Sequence, residues 1–503
     1  MNRYFLLIGL FTFLGFTIGC KKNTKTIVSK DSITILYIGD ERIFHQDYWG
    51  MPACFLIFSP LVSHTGRYSG EIIPVLAESW THSDDYKTWT VKLRKDIFWH
   101  DGVQMTASDI KFTFDLMNIV YSRTISCELI DDFTFRIITA KPLSSLSDWE
   151  VYYPKHLLEN LDPDNYYDWD FWLEPVGSGP YKFVRNMPKA MVEVESNPIY
   201  FGGEPKIKKV ILKFSQTPAL QELLSGNVDA INYAPREFLF KIEGDTRYKS
   251  YYWWGADIES IFWNHNNPLF KEAKVRRALT MAVNRRELSI VLNYPDNVPI
   301  SDVLYTRQQR DNKDFPAPIS YDPDNAKKLL MECGWSDSNS DNILDKDGLD
   351  FEFNLTVSTK NSLMATYIQD NFKRIGVRVN IVTVEQSLVY QQLIHSDFDA
   401  LIDSRFPNSE NSIRRIRKFF GPESYINYNN KKIDSILNLI TETGDKDEID
   451  RLFKDLATIF EREIPITFLM PLVQTHIVKS EVKGLKNLYK ADPVLFLESL
   501  WIE

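Results

Sequence analysis

Cysteine is scarce, with four residues in 503, and none stands in a CxxC pair. A disulfide framework, a zinc ribbon and a thioredoxin-type redox site are thereby excluded. Histidine is scarce too, and the eight that occur never fall at H-x₃-H or HExxH spacing, so no local transition-metal motif exists. There is no GxSxG, no Walker loop and no kinase pattern, so nothing points to an enzyme and no cofactor is expected. Basic runs are missing: 58 Lys and Arg stand against 68 Asp and Glu, a net charge of −10, which argues against nucleic acid or a polybasic membrane surface. Repeats and low-complexity blocks are also lacking. What remains is 44% apolar and 25% charged, the balance of a folded globular chain. At 503 residues it exceeds one hydrophobic core, so two or three lobes are expected.

The N-terminus carries one long apolar run. Arg3 is followed by a nearly uncharged stretch from Tyr4 to Ile18, too short to span a bilayer and suited to a signal peptide over 1–19. The run ends in Thr17-Ile18-Gly19-Cys20, which resembles a bacterial lipobox. Thr17 and Ile18 depart from its usual aliphatic and small residues. Lipidation at Cys20 and a polar tether over 20–30, opened by Lys21, Lys22 and Lys25, are the expectation; two or more acyl chains would hold firmly. The alternative is a plain secretory signal.

Periodicity then alternates between strand and helix. Trp89, Val91 and Leu93 alternate with polar residues. Thr106 and Asp109 form a variant capping box ahead of Ile110, Phe114 and Met117. Asp322-Pro323 opens a helix that Gly334 closes. An alternating segment (Phe351, Phe353, Leu355, Val357), a helix over about 362–375 ended by Gly376, and a second alternation (Val377, Val379, Ile381) read as a βαβ unit with parallel strands. The class is mixed α/β.

Several segments together resemble the bacterial extracellular solute-binding proteins of family 5, the peptide- and nickel-binding lipoproteins of ATP-driven importers. They are Pro74-Val75-Leu76-Ala77-Glu78-Ser79-Trp80, Phe98-Trp99-His100-Asp101-Gly102, Tyr153-Pro154-Lys155-His156-Leu157, Val176-Gly177-Ser178-Gly179-Pro180-Tyr181, Phe262-Trp263-Asn264, Val275-Arg276-Arg277-Ala278-Leu279 and Tyr321-Asp322-Pro323. Their order and spacing carry the likeness. It implies a type II periplasmic binding protein-like fold, with two lobes around a ligand cleft plus a third, inserted domain. Mapped here, domain I takes 31–49, 173–258 and 475–503, the inserted domain II 50–172, and domain III 259–474. A signal peptide and cell-envelope location, an ABC permease as partner, a peptide or related small solute as cargo and a monomeric state complete the expectation. A ligand sensor of the same fold, or a binder of a non-peptide anionic solute, is the alternative.

The resemblance also implies a site. Peptide-binding relatives anchor the ligand's amino terminus with an aspartate after a short strand, here Phe398-Asp399-Ala400-Leu401-Ile402. The anchor position falls on Asn408, and Ser404 and Arg405 replace a Gly-Trp pair. An amide accepts a weaker hydrogen bond from an ammonium than a carboxylate does. Asp403 or Glu410 would restore the charge, and Arg405 would favour an anionic group. Tyr48, Trp49 and Met51, and Trp263 with Asn264, are further candidate ligand contacts, each also a credible core residue. Glycines 177 and 179 precede a strand pattern and not a helix, which disfavours a phosphate loop. His100 and Asp101 read as a tight turn. Asp337, Asn339, Asp341 and Asp345 imitate part of a calcium loop, but Asn342 and Gly348 stand where Gly and Glu belong, so a structural turn is expected. Cys333 reads as a packed thiol, and a Cys54–Cys127 bridge stays open.

Overall fold

The structure is a computed structural model that describes residues 31–38, 52–64, 72–146, 151–215, 218–296, 298, 300, 317–407, 413–484 and 501–502. The chain opens with β1 (Ser32–Ile38), α1 (Pro52–Ile57) and a small hairpin, β2 (Val62–His64) and β3 (Ile72–Pro74). A four-stranded antiparallel sheet follows, β4 (Ala77–His82), β5 (Thr88–Leu93), β6 (Ile125–Asp131) and β7 (Thr134–Thr139), in the order β4-β5-β7-β6. Its core holds Trp89, Val91, Leu93, Phe135 and Ile137, joined by Ile110 and Phe114 of α2 (Ala107–Tyr121). The start of α2 is fixed as expected. The Thr106 amide donates to Asp109 at 2.8 Å, and the Thr106 hydroxyl accepts from the Ser108 amide at 3.3 Å.

After α3 (Lys155–Leu158) the chain adds β8 (Tyr181–Met187), β9 (Met191–Ser196), β10 (Lys209–Ser215), α4 (Ala219–Leu224), β11 (Ala230–Asn232) and α5 (Glu237–Ile242). The long β12 (Tyr248–Trp263) leads to α6 (Ala273–Ala282), α7 (Arg285–Val291), α8 (Pro323–Glu332) and the hairpin β13 (Asp345–Lys346) with β14 (Leu349–Asp350). The βαβ unit is β15 (Glu352–Ser358), α9 (Ser362–Arg374) and β16 (Arg378–Val384), with Phe353 opposite Val379 in a parallel ladder. Then come α10 (Gln386–Ile394), β17 (Ala400–Pro407), α11 (Ile413–Phe420), α12 (Lys431–Glu442), α13 (Lys446–Glu463), β18 (Ile466–Lys479) and the pair β19 (Val482–Lys483) and β20 (Trp501–Ile502).

One sheet unites the two halves, ordered β16-β15-β17-β12-β18-β11-β1-β10-β9-β8. β12 and β18 belong to both. Tyr248 to Trp254 pair with Lys479 to Val473 beside β11, and Ile258 to Phe262 pair with Pro471 to Ile466 beside β17. Sixteen residues of β12 reach about 50 Å, enough to cross from one lobe to the other. Between Trp254 and Ile258 the register breaks, and again between Glu259 and Ser260. The first break gives β12 two residues more than β18 and the second gives β18 one more than β12, and such extra residues bend a strand and concentrate its twist.

The sheet has two faces with separate cores. One face carries Ile261, Trp263, Leu469 and Val473 in the far lobe and Leu36, Ile231 and Ile477 in the near one, with Tyr252 packed against both. The opposite face carries Ile258, Phe262 and Phe468 under α11 to α13, and Ile33, Tyr37 and Val478 under α1 and part of α2. The segment that includes the four-stranded sheet therefore sits over the same face as α11 to α13.

Candidate ligand cleft

Strand direction places the cleft. β1 runs parallel to β10 and β11, and β11 runs antiparallel to β18, so β1 and β11 end towards the break in β12. In the other lobe β15, β16 and β17 are parallel. β17 runs from Ala400, opposite Trp263, to Pro407, opposite Asp257 at the break. The carboxyl ends of both sets thus point at one another across the two crossing strands. In open α/β sheets ligands lie outside the carboxyl ends of parallel strands.

On the face shared by α1, α2 and α11 to α13, buried polar groups collect at this junction. The Asn232 side-chain amide donates to the Tyr37 hydroxyl, and its carbonyl accepts from His476 Nδ1 at 3.1 Å. Tyr37, Asn232 and His476 are all buried. Tyr233, with its ring 5.5 Å from His476 and 6.1 Å from Tyr37, holds a left-handed backbone at φ 55°. Such a conformation is uncommon outside glycine and asparagine and collects at functional sites. Across the junction Ser260 lies opposite Asp403 in the β12–β17 ladder, and both are buried. Asp403 Oδ1 accepts the Ser404 amide at 2.6 Å. By strand alternation Asp403 shares the face of Leu401, beneath α11 to α13.

The other face of the junction is closed by an ion cluster. Arg236, just before α5, reaches Glu259 Oε1 of β12 at 3.2 Å, and the Tyr294 hydroxyl donates to Glu259 Oε2 at 3.2 Å. The guanidinium also contacts the Tyr294 hydroxyl and lies 4.3 Å from that ring's centre. Burial disfavours the Arg236 charge, but the Glu259 carboxylate and Tyr294 outweigh it and raise its pKa. Burial, then Glu259, pushes the Tyr294 phenol well above its ordinary value.

The residues singled out from the sequence fall in different places. Trp263 is fully buried in the core on the cluster's face, and its indole N–H donates to the Thr467 hydroxyl at 3.0 Å. Asn264 donates to the carbonyls of Ser396 and Phe398 at 3.1 and 2.8 Å and accepts from Asn266 and Asn427. Both are framework residues, a correction to the expected ligand contact. Asp403 and Ser404 lie at the carboxyl end of β17. The backbone of Arg405 belongs to that strand, while its side chain, Asn408, Glu410, Tyr48, Trp49, Met51 and Cys20 lie outside the described residues. Arg236, Glu259, Tyr294, Tyr37 and Asn232 were not anticipated. Glu259 alone left a signal, a charge inside the apolar run from Ile258 to Trp263.

Other expectations resolve in the same way. Gly177 is required by space, because an added Cβ would lie 1.9 Å from the Ile57 carbonyl oxygen, and a strand follows. His100 brackets that glycine: its amide donates to the Gly177 carbonyl at 2.8 Å, and its Nδ1 accepts the Gly177 amide at 3.1 Å. Asp101 pairs instead with His156 Nε2 at 2.7 Å. The carboxylates of Asp337, Asp341 and Asp345 accept amides of their own loop, which makes it a turn. Cys54, Cys127 and Cys333 form no disulfide with one another, and Cys54 and Cys127 pack against different cores. Among the described residues no group of three metal-ligating side chains converges, and no helix is long and apolar enough to cross a membrane.

Two lobes joined by crossing strands, with a third domain over one face, are the architecture of a periplasmic binding protein. The structure of NikZ from Campylobacter jejuni in complex with Ni(L-His) superposes with a TM-score of 0.74 at 23% identity, covering 95% of this chain and all of that one. Residues 71–425 match the model of the bacterial extracellular solute-binding proteins, family 5. The chain belongs to that family and is a solute-binding protein of an ABC importer. It is 28% identical over 466 residues to the oligopeptide-binding protein AppA of Bacillus subtilis, covering 85% of this chain and 83% of that one. It is 25% identical over 464 residues to the nickel-binding periplasmic protein of Escherichia coli, with 83% and 84% covered.

Proposed function

We propose that this protein captures peptides in the cleft between its lobes and hands them to a membrane permease without transforming them. The observation that carries the reading is the opposition of strand carboxyl ends across the β12–β18 junction, in a chain whose likeness to an oligopeptide-binding protein spans most of both sequences. A peptide fits such a cleft because its backbone donors and acceptors can pair with strand ends while its side chains occupy roomier space. The domain limits proposed are those set out from the sequence: 31–49, 173–258 and 475–503 for domain I, 50–172 for domain II and 259–474 for domain III. Acylation at Cys20 after removal of residues 1–19 would hold the protein at the cell envelope, which metabolic labelling with a fatty-acid analogue tests against Cys20→Ser.

Asn408, in place of the anchoring aspartate, makes the protein a weak binder of a free amino terminus at that position, with Arg405 beside it. Asp403 supplies a carboxylate five residues earlier, on the cleft face. The test is calorimetric titration with short peptides, free or acetylated at the amino terminus, together with native mass spectrometry of protein purified from its host. Peptides should co-purify and bind. Asn408→Asp should strengthen binding of free-amino peptides about tenfold or more and leave acetylated ones unchanged, since a charge-assisted hydrogen bond replaces a neutral one. If affinity does not respond, Asn408 is not the anchor position. If no peptide binds, the cargo is another solute.

A further inference from the structure

The inserted domain touches the far lobe at the connection between α12 and α13. The turn between β4 and β5 is stiff. Tyr86 donates its amide to the Ser83 carbonyl at 2.9 Å, and its carbonyl accepts both the Trp89 indole N–H at 3.1 Å and the Leu143 amide at 3.0 Å. Its ring stacks on His82, with centroids 4.3 Å apart. Gly444, in the connection between α12 and α13, lies against it. A Cβ added there would meet Tyr86 Cβ at 2.3 Å and Cγ at 2.4 Å. Gly444 is buried although it sits in a connecting loop, and its φ lies outside the left-handed region, so space and not backbone conformation demands glycine. Beside it Lys141 Nζ meets Glu442 Oε1 at 2.7 Å. That ion pair holds the Glu442 carboxyl below its ordinary value, and the Lys87 charge adds to the effect. Lys141 is placed by its neighbours, since the Thr139 hydroxyl donates to both the Lys141 and Lys87 carbonyls.

These residues are about 300 positions apart in the chain, and the contact completes a ring. The crossing strands join the two lobes within the sheet, and the Tyr86–Gly444 contact joins the inserted domain to the connection between α12 and α13, elements that lie over the same face of that sheet. The floor is the face that carries Tyr37, Asn232, His476 and Asp403. We propose that Tyr86 on Gly444, flanked by Lys141 and Glu442, is a latch that engages when the cleft closes and sets how much of the protein is closed. The inference rests on the capture reading, because a latch matters only where cargo is enclosed. A surface ion pair alone is weak, and here it adds register to a contact whose fit depends on a missing side chain. A ligand that favours the closed form is bound more weakly by a variant that cannot close.

Zero-length carbodiimide cross-linking, read by mass spectrometry, reports the latch directly by joining Lys141 to Glu442. The cross-link should form in the wild type, rise with a bound peptide and disappear in Gly444→Trp, whose circular dichroism and melting curve should stay those of a folded protein. Peptide affinity of Gly444→Trp should fall at least tenfold. Should Gly444→Trp not fold, Glu442→Lys supplies the second arm: it should weaken peptide binding, and adding Lys141→Glu should restore it. An unchanged 141–442 cross-link in Gly444→Trp, or a Glu442→Lys variant with wild-type affinity, would overturn the latch. A cross-link lost in Gly444→Trp while no peptide binds the wild type would leave the latch standing and reject peptide as the cargo.

Discussion

His100 and His265 should make this protein lose stability as acid is added, at a rate that can be worked out from their surroundings. The His100 Nδ1 accepts the Gly177 amide at 3.1 Å, so the proton must sit on Nε2, which then donates to the Gly179 carbonyl at 3.1 Å. Protonation would set an N–H against the Gly177 N–H. Burial, the dominant cause, lowers the His100 pKa from 6.5 to about 4. Burial and then the Arg276 guanidinium lower that of His265 to about 4 as well, and its Nε2 donates to the Pro465 carbonyl at 3.0 Å. A folded-state pKa below the unfolded one means that the unfolded chain takes up protons first. The stabilising contribution is therefore complete above pH 6.5 and is lost as pH falls from there towards 4. Each histidine changes stability by about 1.4 kcal/mol per pH unit within that window, about 3 kcal/mol in all. Against a total of roughly 5–15 kcal/mol, two such groups matter. Melting midpoints measured from pH 7.5 to 4.5 should fall steeply in the wild type. His100→Gln and His265→Gln should each start lower at pH 7.5 and fall less steeply, with the double variant flattest. Acid branches that run parallel in all four proteins would refute the reasoning.

The ion cluster at the junction should respond unequally to loss of its two charges. Arg236→Met strands a carboxylate that is 1% exposed and should cost about 3–5 kcal/mol, whereas Glu259→Gln leaves a guanidinium that water reaches and should cost less. Arg236→Met combined with Glu259→Gln should recover part of the loss; calorimetric melting of the four proteins checks this, and additive losses would show that the pair is not coupled. Gly177→Ala should be among the most damaging small substitutions, since its methyl would sit 1.9 Å from a backbone oxygen that cannot rotate away. Soluble yield and melting temperature check that, and a wild-type midpoint would contradict the packing described. Asn408→Asp and Gly444→Trp carry the binding predictions set out above.

Local structure was legible because local chemistry decides it. Thr106 with Asp109, Asp322 with Pro323, and Gly334 and Gly376 at helix ends each satisfy or release backbone groups within a few residues, and the helices begin and end beside them. The alternation from Phe351 to Val357 puts Phe351, Phe353, Leu355 and Val357 into one core, and β15 lies over it, paired with β16 on one side and β17 on the other. The site was far less legible. Arg236, Glu259 and Tyr294 meet only after the chain has crossed between lobes, and Tyr37 meets Asn232 and His476 across 195 and then 244 positions. No spacing rule reaches so far. Family likeness supplied the cleft, and strand direction supplied its position.

The misplacement of Trp263 has a specific cause in β12. Before the break the even positions Tyr248 and Tyr252 face one side of the sheet, and Tyr251 faces the other. If the alternation ran on unbroken, Trp263 would fall on the side of Tyr251, the cleft side. Beyond Ile258 the phase is reversed: Ile261 and Trp263 share a core with Tyr252, while Ile258 and Phe262 lie under α11 to α13. Between the pairs Trp254–Val473 and Ile258–Pro471 three residues of β12 stand opposite one of β18, and across this irregular stretch the faces of the later β12 side chains are exchanged. The irregularity that bends the crossing strand thus also turns Trp263 into the core and Ser260 to the cleft side. Removing two residues between Trp254 and Ile258, which would equalise the two strands there and let the alternation run on unbroken, would therefore drive Trp263 out of its core and Ile258 into the wrong one.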